Sequence, residues 1–305
     1  MSKNSLAVVI LAAGKGTRMK SDLPKVMHEV ARRPMVNWVI AAAQSLKPKK
    51  IIVVSGPDMP DLEAASKPHK TVIQKDRNGT GGAVKAALPA LKGFKGDVLI
   101  LLGDAPLITP QTLKGLIKAK QADKATGISV LGVALDNPSG YGRLVMAAKN
   151  TLEKIVEHKD ASAAEKQINI INTGAFCVDG KNLERWVKKI NNKNAQGEFY
   201  ITDLPEIAAR DNIVTKVHVT KNEAEIMGCN SRADLAVIEA AAQDRLRAGI
   251  MSGGVTMRDP STVYLSHDTK IAPDVIIEPS VVFGLGVEIA AGSYIKAFSY
   301  FEDSK

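Results

Sequence analysis

The sequence predicts a doubly wound, mostly parallel α/β sheet, a connecting helix and a short hexapeptide-repeat β-helix. Two observations carry this. Strand-length apolar runs alternate with helical patterns from residue 6 onward, the arrangement that builds a sheet with helices on both faces. Near the C-terminus an apolar side chain returns every six positions, the period of one face of a β-helix coil.

The strand candidates, in order, are AVVILAA (7–13), IIVVSG (51–56), TVIQ (71–74), DVLILLGD (97–104), GISVLGVAL (127–135), IINTGAFCV (170–178) and VTKVHV (214–219). Several are unbroken apolar runs, as suits strands covered on both faces. Helical patterns fall between them at PMVNWVIAAAQSL (34–46) and AVKAALPALK (83–92). Another helix is expected to start at Thr109-Pro110, with Thr109 as cap and Pro110 in the first position. SRADLAVIEAAAQDRLRAGIM (231–251) reads as one helix, capped by Asn230 or Ser231 and ending before Gly253-Gly254. The expected division is a first domain over 1–229, a linker helix over 230–254 and a β-helix over 255–305.

The repeat is explicit. Leu265, Ile271, Ile277, Phe283, Ile289, Ile295 and Phe301 are spaced by six without a break. Four residues after each of the first six stand Thr269, Val275, Val281, Val287, Ser293 and Ser299, all small or β-branched. The sequence stops at Lys305 within the repeat and shows no capping helix. A stack of coils must cap its open edge or continue, so a shortened second domain is expected.

The chain has 41 basic and 32 acidic side chains, a net charge of +9. That balance suits nucleic acid, a membrane surface or an anionic small molecule. The charges are dispersed, aromatic residues are few, and there is no stacking platform or zinc-finger spacing. An anionic metabolite is therefore favoured over nucleic acid. No apolar run reaches the length of a membrane span. The N-terminal apolar run passes straight into a charged glycine loop, which reads as a first strand and not a signal peptide. Cys177 and Cys229 lie far apart without metal-ligand spacing and read as reduced thiols of a cytoplasmic protein.

The loop after the first strand, LAAGKGTRMKSDLPKV (11–26), combines glycine with cations. Gly14 and Gly16 let the backbone approach a phosphate and present N–H groups to it. Arg18 and Lys25 add full charges, and arginine can grip phosphate oxygens bidentately. A P-loop needs GxxxxGK followed by Ser or Thr, and a dinucleotide fingerprint needs glycine where Met19 stands. On glycine spacing alone, a polyphosphate site and a tight turn with solvated cations are equally good readings. Asp104 ends an apolar strand run, where a doubly wound sheet places ligands, and a carboxylate there can hold a hard cation.

LAAGKGTRMKSDLPKVMH (11–28) resembles the signature of sugar-1-phosphate nucleotidyltransferases. GTGGA (79–83), LGDAPLI (102–108), SGYGRL (139–144), IVEHKDA (155–161), INTG (171–174) and NAQGEFYITDL (194–204) resemble one branch of it. That branch is the bacterial bifunctional N-acetylglucosamine-1-phosphate uridylyltransferase / glucosamine-1-phosphate acetyltransferase family. The resemblance implies a Rossmann-like nucleotidyltransferase sheet and the start of a left-handed β-helix. It makes Arg18 and Lys25 catalytic. UTP would be bound by Leu11, Ala12, Ala13, Gly14, Gly16, Lys25, Gln74, Gly79, Thr80 and Gly103, and the sugar by Gly142, Glu157, Asn172, Tyr200 and Thr202. Mg²⁺ would be held by Asp104 and Asn230. Thr80 could equally cap a helix, as could Asn230, and Glu157 alone could be a charged loop residue. The chain departs from the family's common pattern at Arg77, where glutamine is usual, and at Leu102, where tyrosine is frequent.

The implied activity is Mg²⁺-dependent transfer of UMP from UTP to N-acetylglucosamine-1-phosphate, supplying cell-envelope precursor synthesis, peptidoglycan and lipopolysaccharide included. The implied partners are these two substrates, with no nucleic acid and no membrane. A homotrimer is implied for a full-length form. Rival readings are the same chemistry on another sugar phosphate or nucleotide, an acyltransferase of the hexapeptide type, and a non-catalytic nucleotide-binding protein. The acyl-CoA site would lie in coils beyond Lys305, so acetyl transfer is expected only in a longer form.

Overall fold

A computed structural model describes residues 5–148 and 150–305. Two compact units form. The first takes the chain up to Met27 and the span Val36–Gly228; the second takes His28–Met35 and Cys229–Lys305.

The first unit is built on strands β1 (Leu6–Leu11), β2 (Lys50–Ser55), β3 (Lys70–Ile73), β4 (Asp97–Leu102), β5 (Thr126–Ala134), β6 (Arg143–Ala148), β7 (Thr151–Val156), β8 (Ile170–Asp179) and β9 (Val214–Thr220). The sheet order is β3-β2-β1-β4-β8-β5-β9-β7-β6, and β6 also meets β8 at Arg143–Ile171. β3, β2, β1 and β4 are mutually parallel, as are β5 and β9. β8 runs antiparallel between β4 and β5. The doubly wound class holds, with a mixed sheet in place of a mostly parallel one. The strands expected from their apolar runs all form. The β6–β7 hairpin had no such run: RLVMAA and TLEKIV mix buried and open positions, as one half-covered face allows.

Alternate side chains of β1 enter opposite layers. Ala7, Val9 and Leu11 pack with α3 (Thr80–Leu91), α5 (Gly180–Val187) and α6 (Leu204–Ala209). Val8 and Ile10 pack with α1 (Met35–Gln44), α2 (Pro60–Ala65) and α4 (Pro110–Lys120). Ala7, Val8, Val9 and Ile10 are each 0% exposed, and burying each larger side chain is worth about 1.5–3 kcal/mol. β1 thus has no free face, and a doubly wound sheet places ligands beyond its C-terminal end. α4 begins as expected: Thr109 is the N-cap, accepting from the Thr112 amide at 3.2 Å, with Pro110 in the first turn.

In the second unit α7 (Arg232–Ser252) carries a capping box between Ser231 and Asp234. Ser231 is the cap, and the Asn230 amide donates to Asp234 Oδ2 at 2.9 Å. The helix is not a bare connector. Glu239, Gln243 and Arg247, four apart and on one face, bind backbone around it. Glu239 accepts from the Ala31 amide at 2.7 Å, Gln243 exchanges bonds with both backbone groups of Leu265, and Arg247 donates to the Val263 carbonyl. Ala31 belongs to a hairpin, Glu29–Val30 against Arg33–Pro34. Its turn residues Ala31 and Arg32 have φ of 47° and 58°, as a tight hairpin turn requires. The linker expected at 230–254 is therefore part of a folded body that also recruits residues 28–35. The six-residue repeat forms stacked two-residue strands, with Ile277 on Ile295, Ile271 on Ile289 and Phe283 on Phe301. The two phenylalanine rings stack at 5.5 Å. No helix among the described residues is long and apolar enough to cross a membrane.

Candidate active site

A cleft of about 660 Å³ opens at the carboxyl ends of β1, β3 and β4. Leu11, Ala12, Ala13, Gly14 and Gly16 form one wall, and Gln74, Gly79 and Thr80 form another. Lys25 and Asp104 also line the cleft. The structure thus brings together most residues expected to hold a nucleotide.

The loop geometry explains its glycines. A Cβ on Gly14 would meet nothing within 4 Å, so this backbone lies open. Gly16 has φ +62°, and a Cβ there would stand 2.5 Å from the Cβ of Lys25. The one glycine thus turns the loop and admits Lys25. A single 3₁₀ turn, Thr17–Met19, follows, anchored by the fully buried Met19. A second, Lys25–Met27, presents Lys25. Gly16→Ala is expected to displace the lysine and lower activity by about tenfold or more, measured as pyrophosphate release with folding checked by circular dichroism.

The Lys25 ammonium pairs with Asp104 Oδ2, and both side chains are about six-sevenths buried (14% and 15% exposed). Arg18 stands apart. It is exposed, does not line the cleft, and has no hydrogen-bond or ion-pair partner among the described residues. Gly103 also lies off the cleft. It is buried, and its amide donates to the Leu11 carbonyl at 2.9 Å, tying the Asp104 strand end to the loop.

Gly79 has φ +103°, and a Cβ would come within 2.6 Å of the Phe199 carbonyl. Thr80 does not cap α3. Gly79 holds the cap position, and the Thr80 hydroxyl accepts from the Ile201 amide at 3.1 Å. This bond ties the cleft wall to the 194–204 segment. Asp76, Arg77 and Glu198 also line the cleft, and none stood among the expected ligands. Arg77 turns away at one end, donating to the Pro57 carbonyl at 3.0 Å.

Four of the five expected sugar residues form a connected group. The Asn172 amide donates to the Gly142 carbonyl at 2.8 Å, Gly142 faces the Glu157 carboxylate, and the Thr202 hydroxyl donates to Glu157 Oε1 at 3.1 Å. Arg143, 1% exposed, donates to the Tyr141 and Lys166 carbonyls and so fixes the chain around Gly142. The Tyr200 hydroxyl accepts from Gln196 at 2.7 Å. Leu102 packs toward Gly174, two residues from Asn172, and also lines the nucleotide cleft, so the two groups adjoin.

Burial pushes the Glu157 carboxyl above its ordinary range, opposed by the Thr202 hydroxyl and reinforced by Asp160 and Glu198. Burial, then Glu206, Glu157 and Asp160, push Asp203 up to about 6. Folded Asp203 thus holds its proton more tightly than unfolded Asp203. Its stabilising contribution is complete below about pH 4 and is lost as pH rises through about 6. Asp203→Asn is therefore expected to raise the melting temperature at pH 7.5 by a few degrees, with the gain vanishing near pH 4. Cys177 is fully buried, and burial drives its thiol pKa upward, so it is inert to mild thiol reagents.

Residues 8–169 match the family model of the MobA-like NTP transferase domain. The chain is 46% identical to bifunctional protein GlmU of Paramagnetospirillum magneticum over 302 residues, which covers 99% of this chain and 67% of that protein. The chain belongs to the GlmU family. Against GlmU of Hyphomonas neptunium the identity is 44%, over 99% of this chain and 66% of the relative. The chain thus spans about two thirds of the length of these GlmU proteins. Among solved structures, a UDP-glucose pyrophosphorylase complexed with UDP-glucose superposes with a TM-score of 0.64 at 19% identity. That match covers 79% of this chain and 99% of the other, a likeness of fold. GlmU membership and the transferase domain make this chain a nucleotidyltransferase. Asn230, the second metal ligand expected from the resemblance, belongs to the second unit.

Proposed function

We propose that this chain transfers UMP from UTP to N-acetylglucosamine-1-phosphate, releasing pyrophosphate. The observation that carries the reading is the cleft itself. A cationic glycine loop, the Gln74 amide and a Lys25–Asp104 pair line one cavity, and the hydroxyl- and amide-bearing group around Glu157 adjoins it. GlmU membership supports the same choice of substrates.

In this reading, an oxygen of the sugar phosphate attacks the α-phosphorus of UTP. The bond from that phosphorus to the bridging oxygen breaks, and pyrophosphate leaves with the electron pair. A phosphate monoester is already an anion near neutral pH, its second pKa being about 6, so no general base is needed. Lys25 neutralises charge on the α-phosphate as it develops, and the open backbone at Gly14 offers N–H groups to phosphate oxygens. Glu157 and Thr202 orient sugar hydroxyls, and Asn172 holds the Gly142 backbone in place.

Among the described residues no three His, Cys, Asp or Glu side chains cluster as a closed metal cage. Mg²⁺ needs none, since it is commonly held by one or two carboxylates with substrate phosphates and water. Asp104 fits that role. It is a hard oxygen donor on the cleft wall that already holds a cationic group. The resemblance pairs it with Asn230. Mg²⁺ bound there would supply charge neutralisation to the triphosphate.

The test is pyrophosphate release with Mg²⁺, comparing UTP, dTTP, ATP, CTP and GTP, each with N-acetylglucosamine-1-phosphate and with glucose-1-phosphate. Release confined to UTP with the N-acetylated sugar supports the proposal. Preference for another pair moves the substrate assignment and leaves the nucleotidyltransferase in place.

A further inference from the structure

We infer that Asn78 is a positioning residue that, together with the Gly79 carbonyl, holds the Gln74 amide in one orientation, and through it the hydrogen-bonding pattern of the base the cleft accepts. The inference deepens the uridylyl-transfer reading and rests on it for the identity of the nucleotide.

Gln74 follows β3, lines the cleft and is only 6% exposed. Its side chain could face a ligand with either end, since an amide offers a carbonyl or an NH₂ group. The surrounding chain removes the choice. The Gly79 carbonyl, which also accepts the Ala83 amide at the start of α3, lies 2.9 Å from Gln74 Nε2. A carbonyl can only accept, so the Gln74 group beside it must be the NH₂. Asn78 stands 3.2 Å from the same nitrogen and must therefore turn its oxygen Oδ1 toward it. Both donors of Gln74 are then engaged, and Oε1 is the group left for a ligand. Where Oε1 meets N3 of a pyrimidine, it matches a base with a proton there, such as uracil. It opposes cytosine, whose N3 is itself an acceptor.

A second observation ties Asn78 to its neighbourhood. A Cβ on Gly82 would stand 1.8 Å from Asn78 Oδ1 and 3.0 Å from Gln74 Nε2. Gly82 sits in the first turns of α3, where glycine costs about 1 kcal/mol relative to alanine in a helix interior. Its missing side chain is the space that the Asn78 amide fills. Asn78 and Gly82 thus act as a complementary pair, and neither is among the residues lining the cleft.

Asn78→Leu removes one of the two acceptors and leaves the Gly79 carbonyl alone to hold the Gln74 NH₂ group, so the amide is held less firmly. The expected result is a fall of about tenfold or more in the UTP-over-CTP preference, in kcat/KM and in equilibrium binding of the two nucleotides. The change should lie in KM, with kcat at saturating UTP within about twofold of the parent. Asn78→Asp keeps an acceptor toward Gln74 and should retain most of the preference. Gly82→Ala, which favours the helix, should reproduce the loss by expelling Oδ1, and its effect should be non-additive with Asn78→Leu. An unchanged UTP-over-CTP ratio in folded Asn78→Leu overturns the inference, as does an equal loss in Asn78→Asp. Nucleotide binding separates the two ideas. A parent protein that prefers UTP to CTP in binding but releases no pyrophosphate with N-acetylglucosamine-1-phosphate counts against the substrate reading alone.

Discussion

Lys25→Ala is expected to lower the rate of pyrophosphate release by about 10²–10³-fold, whereas Lys20→Ala stays close to the parent. Lys25 is held on its own 3₁₀ turn, largely buried, with Gly16 packed against its stem. A cation fixed in a partly dry cleft acts on developing charge without reorganising at the moment of reaction. Lys20 is exposed at the end of the preceding turn, with φ of 48°, where water and salt screen it. The loss at Lys25 should fall on kcat, as for a group that acts in the transition state. Comparable losses at both lysines would place the effect in general loop charge and sink the assignment.

Asp104→Asn keeps the shape of the side chain and removes its charge. Turnover with Mg²⁺ is expected to fall by about 10³-fold, since charge stabilisation by a metal is worth several kcal/mol. The Lys25–Asp104 pair adds a further consequence. The ammonium already pairs with Asp104 Oδ2, so a metal ion at this carboxylate must compete with it. UTP can relieve that competition by drawing Lys25 onto its phosphates. Mg²⁺ should therefore bind weakly alone and much more tightly with UTP, and Lys25→Ala should strengthen Mg²⁺ binding to the free protein. Titration calorimetry with and without a non-hydrolysable UTP analogue reads both. Equal Mg²⁺ affinity in parent and Lys25→Ala would show that the pair does not gate the metal. Asp104→Asn should also melt earlier than the parent, because it leaves a largely buried ammonium without its counter-charge.

The sheet was legible where burial on both faces writes an unbroken apolar run, as in LAVVIL and DVLILL. It was not legible at the β6–β7 hairpin, whose one covered face gives only partial alternation. The hexapeptide repeat was readable for a similar reason, since each coil needs its apolar anchor at a fixed step and nothing else substitutes for it. In the cleft, residues fixed by backbone geometry were the easier ones: Gly16 and Gly79 have positive φ that side chains resist. Asn78 was hidden because its work is done on Gln74 across a turn, and a lone asparagine before glycine reads as turn chemistry. Arg18 and Thr80 show the opposite limit. Their types suit phosphate and a helix cap, yet one is exposed outside the cleft lining and the other accepts from the Ile201 amide in a distant 3₁₀ turn.

The hairpin at residues 28–35 sets a schedule for synthesis. Its amide at Ala31 waits for Glu239, 208 positions later. At ribosomal rates of about 5–20 residues per second, that interval is roughly 10–40 s. Until then the hairpin has left the exit tunnel without the helix that holds it. The nascent chain must carry this short segment unburied through that time. A protease or chaperone acting on stalled ribosomes should find it there, and should lose it once residues beyond α7 have emerged.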